Sequence, residues 1–294
     1  MNQTKGFVAL TSTAFILGTF GVLIRLLSEH FTDTGQVLAR SFFASLIILL
    51  VIAYKRINPI SLDRAHLKYL MLFSLSFPMS IICFTISANQ IKVSNSLFML
   101  YVGSLISTAF FGKYLFKEKF TVLHGLSLFL VFIGLLFFVY PFNVQSLSLG
   151  ILLGVVSGIT EGASHTLRKL MNGIKREVVV FYQSISGVVV ALLSVFLSGE
   201  FPIKSVNISA VVIAIIFGAL LVLIGALLFY GFNNFNVNLG TVILATELFF
   251  SLVINYLFLH ESPTIYELIG GVIIFLGSIL TSIKLSQKGA VDAK

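Results

Sequence analysis

The feature that most constrains this chain is the recurrence of apolar runs of about 20 residues, set apart by short segments that hold most of its charge. A run of that length crosses about 30 Å of hydrocarbon as an α-helix. A closed barrel is the other structure that satisfies its own backbone in a bilayer, but its strands alternate apolar and polar residues over about ten positions. Stretches such as Leu46–Ala53 and Val211–Ile224 are apolar without alternation, so they read as helices. Charged residues are 10% of the 294, against roughly 25% in a soluble domain, so a water-facing surface cannot be built from them. The net charge of +8 then reads as basic loops rather than as a nucleic-acid surface, and no nucleic-acid partner is expected.

The periodicity places ten spans, near residues 6–27, 34–54, 66–89, 92–112, 120–140, 148–168, 177–198, 207–231, 236–258 and 263–283. The first is too long for the apolar core of a signal peptide and lacks a small-x-small cleavage site, so it is expected to be retained. Alternate loops then collect 15 of the 19 basic residues, from Lys5 through Lys55, Lys113 and the Arg168–Arg176 group to Lys284, while the opposite loops hold Lys92 and Lys204. Basic loops stay in the cytoplasm. The expectation is a multi-pass protein of the cell (inner or plasma) membrane with both termini cytoplasmic. The single cysteine, Cys83, falls inside a span, which leaves no internal disulfide and no thiolate metal site.

The chain also repeats itself. A shift of 143 lays Glu118 on Glu261, Thr121 on Thr264, Phe132 on Phe275 and Gly134 on Gly277. A shift of 144 lays Gly6 on Gly150, Gly18 on Gly162, Leu23 on Leu167 and Arg25 on Lys169. Each half holds five spans, an odd number, so the second half enters the membrane from the opposite side. Such inverted repeats build alternating-access carriers, with the site at their interface near the midplane. The expected fold is all-α, ten transmembrane helices in two inverted five-helix repeats, with halves at 1–142 and 147–287 and a tail at 288–294.

Two segments sit in matching places of the halves: Leu115-Phe-Lys-Glu118-Lys and Leu257-Phe-Leu-His-Glu261-Ser-Pro, each followed by a span. Both resemble the signature that closes the fourth helix of each EamA repeat in the drug/metabolite transporter superfamily. Ala245-Thr-Glu247-Leu-Phe-Phe-Ser resembles that family's Glu-Pro segment with leucine in place of proline, and Arg40 resembles an arginine of its second helix. The resemblance spans nearly the whole chain. It implies a helix bundle around a central cavity, secondary transport of a small metabolite, and export as the direction.

Ionisable residues within the spans are the candidates for chemistry, because each costs several kcal/mol in hydrocarbon unless paired or hydrated. Glu247, Glu161 and Arg40 qualify. Ser251 follows Glu247 by one turn, and Tyr101 and Ser104 lie on the equivalent span of the first half, so all three are candidate lining residues. His165 lies one turn after Glu161, and together they could hold or relay a proton. Arg40 could bind a substrate carboxylate, or instead neutralise one of the glutamates. The ladder Gly150, Gly154, Gly158, Gly162 is expected to serve close helix packing. Glu118 and Glu261 are expected to organise helix junctions.

No phosphate-binding loop GxxxxGK[ST] occurs, no residue group has metal-ligand spacing, and neither a cofactor nor a catalytic residue is expected. The sequence therefore predicts a non-enzymatic secondary carrier of a small polar metabolite, an amino acid or amine, with proton coupling through Glu247 or Glu161. The alternative is a flippase for lipid or a lipid-linked substrate. Expected partners are the small-molecule substrate, protons and membrane lipid, with the protein a monomer or homodimer.

Overall fold

In hydrocarbon no water is at hand for the backbone, so each apolar run satisfies its amides within a helix. The computed structural model describes residues 3–60, 64–118, 122–140, 149–205 and 207–291. Its helices are α1 (Gln3–Leu17), α2 (Phe20–Ser28), α3 (Asp33–Tyr54), α4 (Arg64–Gln90), α5 (Val93–Phe116), α6 (Val122–Val139), α7 (Leu149–Leu170), α8 (Arg176–Ser198), α9 (Ile208–Asn234), α10 (Val237–Leu244), α11 (Glu247–Leu259) and α12 (Ile265–Val291). The expected spans are all present. The first and ninth are each broken in two, as α1–α2 and α10–α11. Residues 141–148, where the halves meet, 119–121 and 292–294 of the expected tail lie outside the described residues.

Among the described residues, seven spans are long and apolar enough to cross a membrane by length and composition. Gly125–Phe138 and Ile265–Leu280 are shorter apolar stretches, within α6 and α12. The remaining span, α7, carries Glu161, Arg168 and Lys169 within its length. Burial is inverted relative to a soluble protein: Leu50, Phe196 and Val122 point outward, while Arg40, His165, Arg168 and Glu247 are buried.

The packing obeys the twofold relation between the halves. Exchanging α1–α2 with α7, α3 with α8, α4 with α9, α5 with α10–α11 and α6 with α12 reproduces the contacts. The α5–α7 pair maps onto α10–α11 with α1–α2, and α4–α7 maps onto α9–α1. The α3–α8 and α6–α12 pairs map onto themselves. The glycine ladder does what was expected of it: a Cβ at Gly158 would run into the Leu100 carbonyl of α5, and one at Gly162 would meet Ser104 O at 2.8 Å.

One expectation is corrected. Arg168 was counted with the loop cations, yet it is fully buried in the last turns of α7. The helix runs on to Leu170, and the guanidinium turns inward over the rings of Phe73 and Phe77, at 4.9 and 5.2 Å, instead of reaching water.

Lys5, Lys55 and Arg176 line one groove and Lys169 pairs with Glu118 at the same end of the bundle, the basic end, whereas Lys92 and Lys204 lie at the opposite end, paired with Glu267 and the Ser28 carbonyl.

Candidate functional site

Both helix breaks have the same construction. At the end of α1, Thr19 donates its amide (3.0 Å) and hydroxyl (2.7 Å) to the Ile16 carbonyl. At the end of α10, Thr246 donates its amide (3.1 Å) and hydroxyl (2.7 Å) to the Ile243 carbonyl. Tightening to an i−3 bond interrupts the regular ladder, and the threonine hydroxyl adds a second donor to the same carbonyl. The breaks face each other: a Cβ on Gly18 would sit 3.0 Å from Phe250 Cβ and 3.2 Å from Ser251 N. Discontinuous helices that meet in this way mark the binding site of many secondary transporters.

Next to the breaks lies a cavity of about 60 Å³, lined by Leu17, Phe20 and Ile24 of the first span, Leu221, Ile224 and Leu228 of α9, and Phe77, Ser80, Ile81 and Phe84 of α4. Its charged lining comes from three helices: Arg40 of α3, Glu161 of α7 and Glu247 at the first turn of α11. The structure thus brings together the three intramembrane charges that the sequence singled out. The volume admits water but not a metabolite, so loading requires these walls to spread.

Arg40 is the least satisfied of the three. Its Nη2 donates to Thr85 Oγ1 at 2.6 Å, and its guanidinium lies 4.4 Å over the Phe217 ring. Nε and Nη1 are buried without hydrogen-bond partners. Among the described residues no ion pair joins Arg40 to Glu161 or Glu247, so the neutralising role that the sequence allowed is not taken up here.

The carboxylates are supported differently. The Tyr101 hydroxyl lies 2.5 Å from Glu247 Oε2 and 2.8 Å from the Leu244 carbonyl. Glu161 accepts a hydrogen bond from Ser80 Oγ at 3.4 Å and lies 3.8 Å from His165 Nε2. His165 stacks on Phe232 at 4.4 Å, and its Nδ1 is 3.1 Å from Arg168 Nη1. The arginine can only donate, so Nδ1 accepts and the ring proton belongs on Nε2, facing Glu161. Arg168 Nη2 then reaches Gln183 Oε1 of α8 at 3.2 Å. A buried polar chain therefore runs from the cavity at Glu161 along α7 to α8. Arg168 and Gln183 were missed by sequence reasoning. The signal was present for Arg168, which follows Glu161 by seven residues and His165 by three, on the same helix face.

Ser104 and Ser251 sit apart from the cavity wall. The Ser104 carbonyl abuts Gly162 in the α5–α7 seam, and Ser251 bonds back to Leu248 O at 2.9 Å beside the Gly18 break. Among the described residues no group of three or more His, Cys, Asp or Glu could hold a metal ion.

At the basic end Glu118 organises a three-helix junction. Its Oε1 takes Lys169 Nζ of α7 at 2.9 Å and the Val237 amide at 2.9 Å, and its Oε2 takes Asn238 Nδ2 at 2.9 Å. The carboxylate caps the N-terminus of α10, where anions are favoured. The equivalent Glu261 at the opposite end leaves its buried Oε2 without a partner.

Two inverted five-helix halves, with broken helices and buried charges around a cavity between them, define a polytopic membrane transporter of small solutes. The sequence comparison makes this specific: the chain belongs to the EamA-like transporter family, which matches residues 4–140 and 148–283. Members of that family are transporters, not enzymes. A solved crystal structure superposes with a TM-score of 0.78 at 10% identity, over 96% of this chain and 99% of its own, which shows a shared fold. No curated protein matches this sequence.

Proposed function

We propose that the protein is a secondary carrier of a small zwitterionic metabolite, an amino acid or a related amine, working by alternating access. The observation that carries this reading is the unpaired guanidinium of Arg40 in one cavity with Glu161 and Glu247. A buried cation without counter-charge is costly in a membrane. A cargo carboxylate relieves that cost with a bidentate bond, and the two glutamates across the cavity suit an ammonium group.

Proton coupling through Glu247 is supported by the Tyr101 geometry, which suits both states of the carboxyl. Tyr101 has one proton and two acceptors within reach. When Glu247 is ionised, Tyr101 donates to it. When Glu247 is protonated, it donates to Tyr101, which turns its own proton to the Leu244 carbonyl. Protonation and cargo ammonium then compete for the same carboxylate. The bias of basic residues supports cytoplasmic termini in the cell membrane, and export follows the habit of the family.

Flux of labelled amino acids and amines into liposomes, with and without a proton gradient, tests the proposal. Arg40→Ala should weaken cargo binding about 10–100-fold, the worth of a charged hydrogen bond. Glu247→Gln should keep exchange but lose acceleration by the gradient. Wild-type flux in Arg40→Ala would overturn the reading. Movement of a lipid probe with no soluble solute transported would make the cargo a lipid.

A further inference from the structure

We infer that the open groove at the basic end, between α1, α3, α8 and α9, is a binding site for one anionic phospholipid of the adjoining leaflet. The inference goes beyond the carrier reading and does not depend on its cargo. The groove encloses about 580 Å³ and is separate from the central cavity: α9 turns Val222 and Ala226 toward the groove and Leu221, Ile224 and Leu228 toward the cavity.

Two features at the mouth select for an anion. Lys5, Lys55 and Arg176 line it against one carboxylate, Glu177, so the rim carries three positive charges and one negative. Lys55 Nζ (2.6 Å) and Arg176 Nε (3.4 Å) share a single oxygen of Glu177, which leaves their remaining donors for a phosphate. The mouth is also the N-terminus of α8, whose N-cap Lys175 makes no side-chain cap. Glu177 meets its own amide, and Val178 and Val179 bond the Lys175 carbonyl, so it is the helix dipole that favours an anion there.

Below the mouth the walls are apolar, formed by residues such as Val8, Ile48, Val51, Leu223 and Ala226. Along α9 the lining runs from Tyr230 to Val222, eight residues or about 12 Å of helix. That depth fits the acyl region of one leaflet, about half of the roughly 30 Å hydrocarbon core. A soluble anion would use the rim and leave the apolar walls wet. A phospholipid satisfies both, with its headgroup phosphate among the cations and an acyl chain between α1 and α3.

Native mass spectrometry of the detergent-purified protein tests this, with phosphatidylglycerol and phosphatidylethanolamine of the same acyl chains at equal concentration. Phosphatidylglycerol should be retained preferentially. Lys55→Gln with Arg176→Gln should reduce that preference about fivefold for each charge removed. Ala226→Trp, which fills the wall and leaves the charges in place, should lower retention of the lipid as well. An unchanged melting temperature in each variant confirms folding. Equal retention of the two lipids by the wild type, or a preference that survives both variants, overturns the proposal. So does displacement of the lipid by inorganic phosphate, which would assign the rim to a free anion. Failure of the carrier reading would appear in flux and leave these outcomes untouched.

Discussion

The α5–α7 pair and its symmetry mate, α1–α2 with α10–α11, occupy equivalent places in the two halves and are built in opposite ways. In the first pair both helices are continuous and meet backbone to backbone along Gly103, Gly158 and Gly162. Its ends are tied by Glu118 and Lys169 at 2.9 Å. In the second pair both helices are broken, at Gly18–Thr19 and Ala245–Thr246, and Glu247 stands at one of the breaks. The tie is missing too: Arg25, the counterpart of Lys169, bonds the carbonyls of Asn89 and Ile91 at 3.4 and 3.0 Å rather than Glu261. A repeat that supplies both pairs has thus kept one as a rigid seam and made the other the place where backbone and charge are left adjustable.

The contrast can be broken most severely at the rigid seam. Gly158→Val would drive a side chain into the Leu100 backbone, which cannot yield as a flexible side chain would. A loss of about 3 kcal/mol or more is expected, read as the largest fall in melting temperature in detergent. Gly125→Ala, with nothing within 4 Å of the new methyl, should stay within about 0.5 kcal/mol. The tie comes next. Glu118→Ala leaves the Lys169 ammonium and the first amides of α10 without their acceptor, at about 2–3 kcal/mol, whereas Glu261→Ala should cost under about 0.5 kcal/mol. Comparable losses at the two glutamates would show that the ends are equivalent and remove the asymmetry.

Tyr101→Phe links the seams, since Tyr101 of α5 reaches Glu247 of α11. Its loss should cost about 1 kcal/mol in stability and, in flux, flatten the dependence on a proton gradient. The smallest effect is expected where the halves agree. Lys117 and His260 end α5 and α11 in the left-handed region, at φ of 50° and 55°. Glycine takes that conformation without a Cβ penalty, so Lys117→Gly and His260→Gly should each gain about 0.5 kcal/mol in melting experiments.

Three charges of the candidate cavity were legible before folding. Arg40, Glu161 and Glu247 were conspicuous because a charge in an apolar run must have a reason to be there, and all three line one cavity. Ser104 and Ser251 were less predictable: a hydroxyl can turn to the carbonyl of its own preceding turn, so its residue type does not say which way it faces. Arg168 was misplaced because near a helix end the same side chain can reach water or fold back over aromatic rings, and only Phe73, Phe77 and Gln183 settle which.

By itself the sequence determined the ten spans, the helical class, the bias of basic residues between loops and the inverted repeat. These follow from hydropathy and length read along the chain, because a bilayer imposes one thickness and one backbone rule on every segment. The breaks at Thr19 and Thr246, the unpaired state of Arg40 and the unequal ties at Glu118 and Glu261 were decided by the tertiary structure. Each depends on whether a neighbouring helix supplies a partner for a particular carbonyl, amide or charge, and that is a property of the packed bundle rather than of any one run of residues.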